Sequence, residues 1–171
     1  MVPHFSFSTV AEARAVVDSC RYPLHSHRSA PGSRPALGYA ARSQGEINGY
    51  LNEQTLLIAM LKTPETIENA DVIATIDGID MLHIGSSDLS TEMGILGQYK
   101  HARMREAYET TARAARAHGK SMGDSGVREE LEFQTWLMQL GMRYRTGGSD
   151  VGYILSAGRA DVKRLREVRL S

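Results

Sequence analysis

The feature that most constrains the fold is an alternation. Short apolar runs are each followed by a stretch whose apolar residues recur at helical spacing. Leu56-Leu57-Ile58-Ala59-Met60-Leu61 reads as a strand buried on both faces, and Thr63-Pro64-Glu65 behind it starts a helix with threonine as N-cap and proline in the first turn. The next run, Asp80-Met81-Leu82-His83-Ile84, enters Gly85-Ser86-Ser87-Asp88 and another helix start. Near the beginning, an apolar run over 2–7 precedes Thr9-Val10-Ala11-Glu12, a capping box, with Val10, Ala13, Val17 and Cys20 following on one face. A helix over 103–118 stops at Gly119. After it come a strand over 121–123, a helix carrying Phe133, Trp136, Leu137 and Leu140, a strand over 143–146 entering Gly147-Gly148-Ser149-Asp150, and a last helix to about Val168. Five such β-α units with right-handed crossovers predict an α/β protein with a parallel sheet, spanning 1–171 as one domain.

Composition narrows the classes of function. Hydrophobic residues make up 42% and charged residues 23%, as in ordinary globular proteins. Twenty Lys+Arg balance twenty Asp+Glu, so no global field recruits nucleic acid or an anionic membrane. The balance is uneven: 44–99 carry nine acids and one base, net −8, and 159–171 carry five bases and two acids, net +3. The single cysteine, Cys20, excludes an internal disulfide framework and a Cys-rich zinc site, and its apolar setting reads as a buried structural thiol. No apolar stretch approaches the ~18 residues of a membrane span, and the start lacks the pattern of a secretory signal. The expectation is a soluble, cytoplasmic protein.

One segment breaks the alternation. Residues 21–45 hold Pro23, Pro31, Gly32, Pro35 and Gly38 among serines and histidines, without sustained periodicity. So long a loop in a compact domain is expected to form a lid or site rim, or else to be a disordered excursion. His25 and His27 on it read as solvated loop residues, and His83, inside a strand, as a core histidine. Arg145 is an odd charge within a strand pattern, facing either a mouth that binds an anion or an open edge. Five strands do not close an eight-stranded barrel, and no Gly-x-Gly-x-x-Gly, P-loop, His-Glu-x-x-His or Gly-x-Ser-x-Gly motif is present.

Taken together, several strings resemble the HpcH/HpaI aldolase/citrate lyase family, the metal-dependent class II pyruvate aldolases. Met1-Val2-Pro3 with Thr9-Val10-Ala11-Glu12-Ala13 resembles that family's fourth barrel strand and helix. Arg21-Tyr22-Pro23 with Arg28-Ser29 is similar to its Tyr-Pro-Pro…Arg loop. Asp80 through Ser90, followed by Met93-Gly94, resembles its Gly-Pro-x-Asp-Leu-Ser string, and Gly147 to Asp150 its Gly-x-Asp at the eighth strand. The resemblance implies a TIM-type barrel, here a partial one of about five β-α units from the fourth strand onward, completed by oligomerisation with a second copy or a partner chain. It also implies a small carboxylate or keto-acid ligand, with Ser86 and Ser87 near the carboxylate and Arg28 at the rim. Gly85-Ser86-Ser87 is also an anion nest on first principles, with a plain capped turn as the alternative.

Two departures qualify the resemblance. The units that carry the family's catalytic His and carboxylate-binding Arg precede the matched part. Where the family has a metal-ligating Glu, this sequence has Lys62, while Asp88 matches the second metal-ligating carboxylate. A protonated ammonium donates and cannot ligate. The expectation is therefore a Lys62–Asp88 ion pair at the metal's position, with Lys62 as a Schiff-base nucleophile as the competing role. No cofactor is expected, and Mg2+ or Mn2+ only if Asp88 retains a site. The function expected is an aldolase-like carbon–carbon lyase scaffold with diverged, metal-independent chemistry acting through Lys62 and Asp88. The alternatives are a non-catalytic remnant or assembly partner, and one piece of a longer gene product.

Overall fold

The computed structural model describes residues 4–23, 25–30, 37–39, 41–127 and 131–169, with 4–6 described by backbone alone. The matched Met1-Val2-Pro3 string and the loop positions Pro31, Gly32 and Pro35 lie outside these residues. Five parallel strands, β1 (His4–Ser6), β2 (Ile58–Leu61), β3 (Met81–Gly85), β4 (Ser121–Ser125) and β5 (Met142–Arg145), stand side by side in sequence order. An all-parallel sheet that adds each strand beside the last, with right-handed crossovers, places its helices on one side. That is the winding of a (β/α) barrel and not of a doubly wound sheet, as expected for a partial TIM-type barrel.

The strand period assigns the two faces. Leu57, Ala59, Leu61, Leu82, Ile84 and Met122 belong to the main core with the helices, and Leu61, Leu82 and Ile84 are fully buried. Their principal cover is α6 (Ala102–Ala117), which buries Met104, Ala107, Tyr108, Thr111 and Ala115 along one stripe and ends where Gly119 turns the chain at φ +66°. Truncating a side chain as enclosed as Leu82 to alanine costs about 2–5 kcal/mol. The opposite, inner face carries Ile58, Met60, Met81, His83 and Tyr144, in register across β2, β3 and β5. This face is less open than a half-barrel suggests, since Ile58 and His83 are fully buried within the chain. Gly123 makes that possible: a Cβ there would sit 2.6 Å from His83 Nδ1 and 3.2 Å from Tyr144 Cδ1, so only glycine lets these rings fold over β4. His83 packs edge-on against Tyr144, as a core histidine should.

Helix α1 (Val10–Cys20) starts at the predicted capping box, with Thr9 accepting from the Glu12 amide. The helix after Thr63 is split into α3 (Pro64–Glu68) and α4 (Ala70–Ala74). Helix α2 (Gln44–Glu53) is an element the sequence reading lacked, although Ser43 and Glu46 form a second capping box. Helix α5 (Ser86–Glu92) follows β3 directly, and α7 (Leu131–Gln139) stacks Phe133 and Trp136 under Arg105. Helix α8 (Asp150–Arg166) buries none of its residues, and Val151, Ile154, Leu155, Val162 and Leu165 are exposed along it. Among the described residues no helix is long and apolar enough to cross a membrane.

Candidate functional site

The carboxyl ends of the strands, where barrel active sites form, bring Lys62 and Asp88 together. Lys62 is the first residue past β2, and Asp88 is the third residue of α5, just past β3. Lys62 Nζ lies 2.6 Å from Asp88 Oδ2, with the two side chains 31% and 56% exposed. Gly85 permits the approach, because a Cβ on the last residue of β3 would press to 3.1 Å of Lys62 Cγ and 3.4 Å of Met60 Sδ. The pair opens on a cleft of about 400 Å3 shared with Ser8, Glu12, Thr63 and Glu92. Glu12 is occupied, accepting from the Ser8 amide at 2.7 Å, and Thr63 caps α3. The carboxylates at this cleft are therefore Asp88, held by the Lys62 ammonium, Glu12, which caps α1, and Glu92 at the end of α5. Among the described residues no three His, Cys, Asp or Glu side chains converge. Hard divalent cations take several oxygen ligands, and here one Asp88 oxygen is already taken by the Lys62 ammonium.

Beneath the pair lies a buried polar knot. Ser86 Oγ donates to Asp124 Oδ1 at the end of β4, and Tyr108 Oη stands 2.6 Å from Ser86 Oγ and 3.3 Å from Asp124 Oδ1. All three residues are fully buried. Burial pushes the Asp124 carboxyl above the usual carboxylate range, against the opposing Ser86 hydrogen bond and the Arg145 charge. Burial, with Asp124 beside it, also raises the Tyr108 hydroxyl well above an ordinary phenol. Sequence reasoning found Ser86 but neither Asp124 nor Tyr108. The expected strand stopped at residue 123, one short of Asp124, and the knot exists only through contacts between β3, β4 and α6.

The predicted site residues divide three ways. Lys62 and Asp88 meet. Ser87 is exposed beside them, its Oγ 3.2 Å from Tyr99 Oη. The Ser86 side chain turns away from the cleft into the knot, so only its backbone faces the turn. Arg28 is not brought to this cleft. It stacks over Tyr22 at 4.6 Å and donates to the Cys20 carbonyl, beyond the C-terminus of α1. Within this chain the loop it belongs to is fastened to the amino ends of the strands. The fully engaged Arg21 guanidinium bonds the carbonyls of Asn52, Thr55 and Gly78 and the Asp80 carboxylate, which in turn accepts from the Leu57 amide. The described start of this loop therefore forms a clasp at the opposite strand ends, about 16 Å away along a five-residue strand, where a lid or rim was expected. His25 and His27 lie on that side too, with His27 exposed and 3.6 Å from Asp18. Cys20 is a buried thiol pushed up by its burial. Arg145, on the edge strand β5, acts electrostatically on Asp124.

A one-directional parallel winding with its cleft at the carboxyl strand ends defines a (β/α)-barrel protein. Residues 1–157 match the family described as HpcH/HpaI aldolase/citrate lyase, and the chain belongs to that family. It is 38% identical over 129 residues to a 4-hydroxy-4-methyl-2-oxoglutarate aldolase of Hapsidospora irregularis, covering 75% of this chain and 48% of that protein. It is 33% identical over 171 residues to a hydroxypyruvate/pyruvate aldolase of Delftia acidovorans, covering 97% of this chain and 60% of that one. An HpcH/HpaI aldolase from Desulfitobacterium hafniense superposes with a TM-score of 0.86 at 23% identity, over 98% of this chain and 64% of that chain, which establishes the shared fold. The chain thus spans about half to two thirds of the length of these relatives.

Proposed function

We propose that this chain is an aldolase-like carbon–carbon lyase scaffold that receives a small 2-keto acid, or a related carboxylate, at the Lys62–Asp88 cleft. In this reading a lysine charge replaces a metal ion. The relatives' printed activities on 4-hydroxy-4-methyl-2-oxoglutarate and on hydroxypyruvate or pyruvate support the ligand class. The observation that carries the reading is the ammonium of Lys62 held against Asp88 at the strand ends. An ammonium has three donors and Asp88 Oδ2 takes one, which leaves two for the oxygens of a keto acid. Placed there, Lys62 stabilises negative charge developing on an enolate oxygen, while Asp88 fixes the ammonium's position. Ser87, exposed at the same turn, is the neighbouring polar contact.

Oxalate, a planar mimic of the pyruvate enolate, tests this by calorimetry without added metal. Binding by the wild-type chain that falls at least tenfold in Lys62→Met supports the reading. Equal binding by both proteins contradicts it by placing the ligand away from Lys62, and no binding by either contradicts it and favours a scaffold role without a ligand. Borohydride trapping with pyruvate separates the two roles of Lys62, since a covalent adduct on that residue would show imine formation in place of a purely electrostatic cation.

A further inference from the structure

We infer that Asp124 is a positioning residue for the site: through Ser86, its buried carboxylate fixes the turn that carries Asp88 to Lys62. Asp88 is two residues past Ser86 in the first turn of a seven-residue helix that starts straight from β3. That helix has no side-chain cap on its preceding residue Gly85. What holds its first residue is the Ser86 hydroxyl, bonded to Asp124 Oδ1 and to Tyr108 Oη. These partners come from different elements, β4 and α6, so the turn is tied to two pieces of the barrel wall at once. Gly126, just past β4, completes the fit. Its φ of +112° and missing Cβ leave room for Ser87, whose Oγ and amide nitrogen would lie 3.1 and 3.5 Å from a side chain there.

A carboxylate is an expensive group to enclose, and burial raises the energy of the charged form. A hydrophobic residue under the turn would fill the space without that cost. What Asp124 adds is direction: an acceptor at one point in space, to which a serine hydroxyl with a single proton must align. Held at that point, the hydroxyl restrains the Ser86 backbone, and a shift of that backbone would carry Asp88, in the same first turn, with it. The inference rests on reading Lys62 and Asp88 as the site's working pair, but its test reads their geometry and needs neither bound ligand nor turnover.

The chain has four lysines, at 62, 100, 120 and 163. Limited acetylation with an N-hydroxysuccinimide ester at one fixed pH, followed by peptide mass measurement, gives the rate at each one. Lys163 on α8 is the reference, and Lys120, which donates to the Ile76 carbonyl, reports on the general fold. Asp88→Asn sets the rate of an unpaired Lys62. That rate should be about threefold above wild type, the equivalent of a partly exposed ion pair. Ser86→Ala is expected to raise Lys62 labelling towards the same level with Lys120 unchanged. Asp124→Ala should do so too, whereas Asp124→Asn, which keeps an Oδ1 acceptor, should stay near wild type. Lys62 labelling that stays at the wild-type rate in Ser86→Ala while rising in Asp88→Asn would overturn the inference. So would Asp124→Asn and Asp124→Ala behaving alike.

Discussion

Lys62 Nζ and Asp88 Oδ2 stand 2.6 Å apart across the ends of two neighbouring parallel strands, with glycine at the end of β3 leaving the gap through which the lysine reaches. The site thus contains its own positive charge, tethered to one strand and held by an acid from the next.

The pair does little for stability. With side chains 31% and 56% exposed, it is expected to contribute no more than about 1 kcal/mol. Thermal unfolding of Lys62→Met should therefore fall by less than about 4 °C in a chain of this size. A much larger drop would mean that Lys62 serves the core and not the cleft.

The pairing of Lys62 with Asp88 was legible because both sit where apolar runs end, and a lysine in place of an acid beside a carboxylate has one simple resolution. The parallel sheet followed from the β-α alternation, and its winding in sequence order from the barrel that the family resemblance implies. What stayed hidden depends on contacts distant in sequence. Nothing local distinguishes Asp124 from a surface acid until Ser86 and Tyr108 close on it. The clasp formed by Arg21 is equally nonlocal, since its acceptors are spread from Asn52 to Asp80. That is why the start of the loop after α1, expected at a lid or rim, is fastened at the opposite strand ends. Helix α2 was missed although Ser43-Gln44-Gly45-Glu46 carries its start signal, because the two glycines and two asparagines within 44–53 weaken its apolar stripe.

Asp124 should make the pH dependence of stability run in an unusual direction. Its folded carboxyl holds a proton more tightly than the unfolded one does. The folded state therefore binds more protons above the ordinary carboxylate value of 3.8, and stability falls as pH rises from there through the raised folded value. Asp124→Asn removes this slope. Denaturant unfolding across the acid range should show the wild type losing stability relative to Asp124→Asn as pH increases. A constant difference would show that the carboxyl is not perturbed by its burial.

The chain should self-associate. Within the sheet β1 and β5 are edges, and α8 exposes Val151, Ile154, Leu155, Val162 and Leu165 with no residue buried. The net +3 of 159–171 complements the net −8 of 44–99 on a second copy. Sedimentation at micromolar concentration is expected to give a mass above the 18.8 kDa monomer, and Ile154→Asp with Val162→Asp should return it to the monomer. A wild-type monomer would contradict this.

Exchanging the tethered charge for a carboxylate should create what the present site lacks. Lys62→Glu places two acids at the ends of β2 and β3, and titration calorimetry is expected to show Mn2+ binding that the wild type does not show. The same affinity in both proteins would mean that the metal binds elsewhere.

The most direct test of a lysine standing in for a metal is the release of pyruvate from a 4-hydroxy-2-oxo acid, measured with and without Mg2+ or Mn2+. Cleavage requires a base for the aldol hydroxyl and a positive centre for the enolate, worth ~10²–10⁴-fold and as much or more, respectively. The account predicts that the wild-type chain gives a rate near background, that divalent metal does not increase it, and that Lys62→Met abolishes whatever remains. Robust cleavage by the wild-type chain that requires divalent metal and is lost in Asp88→Ala would contradict it.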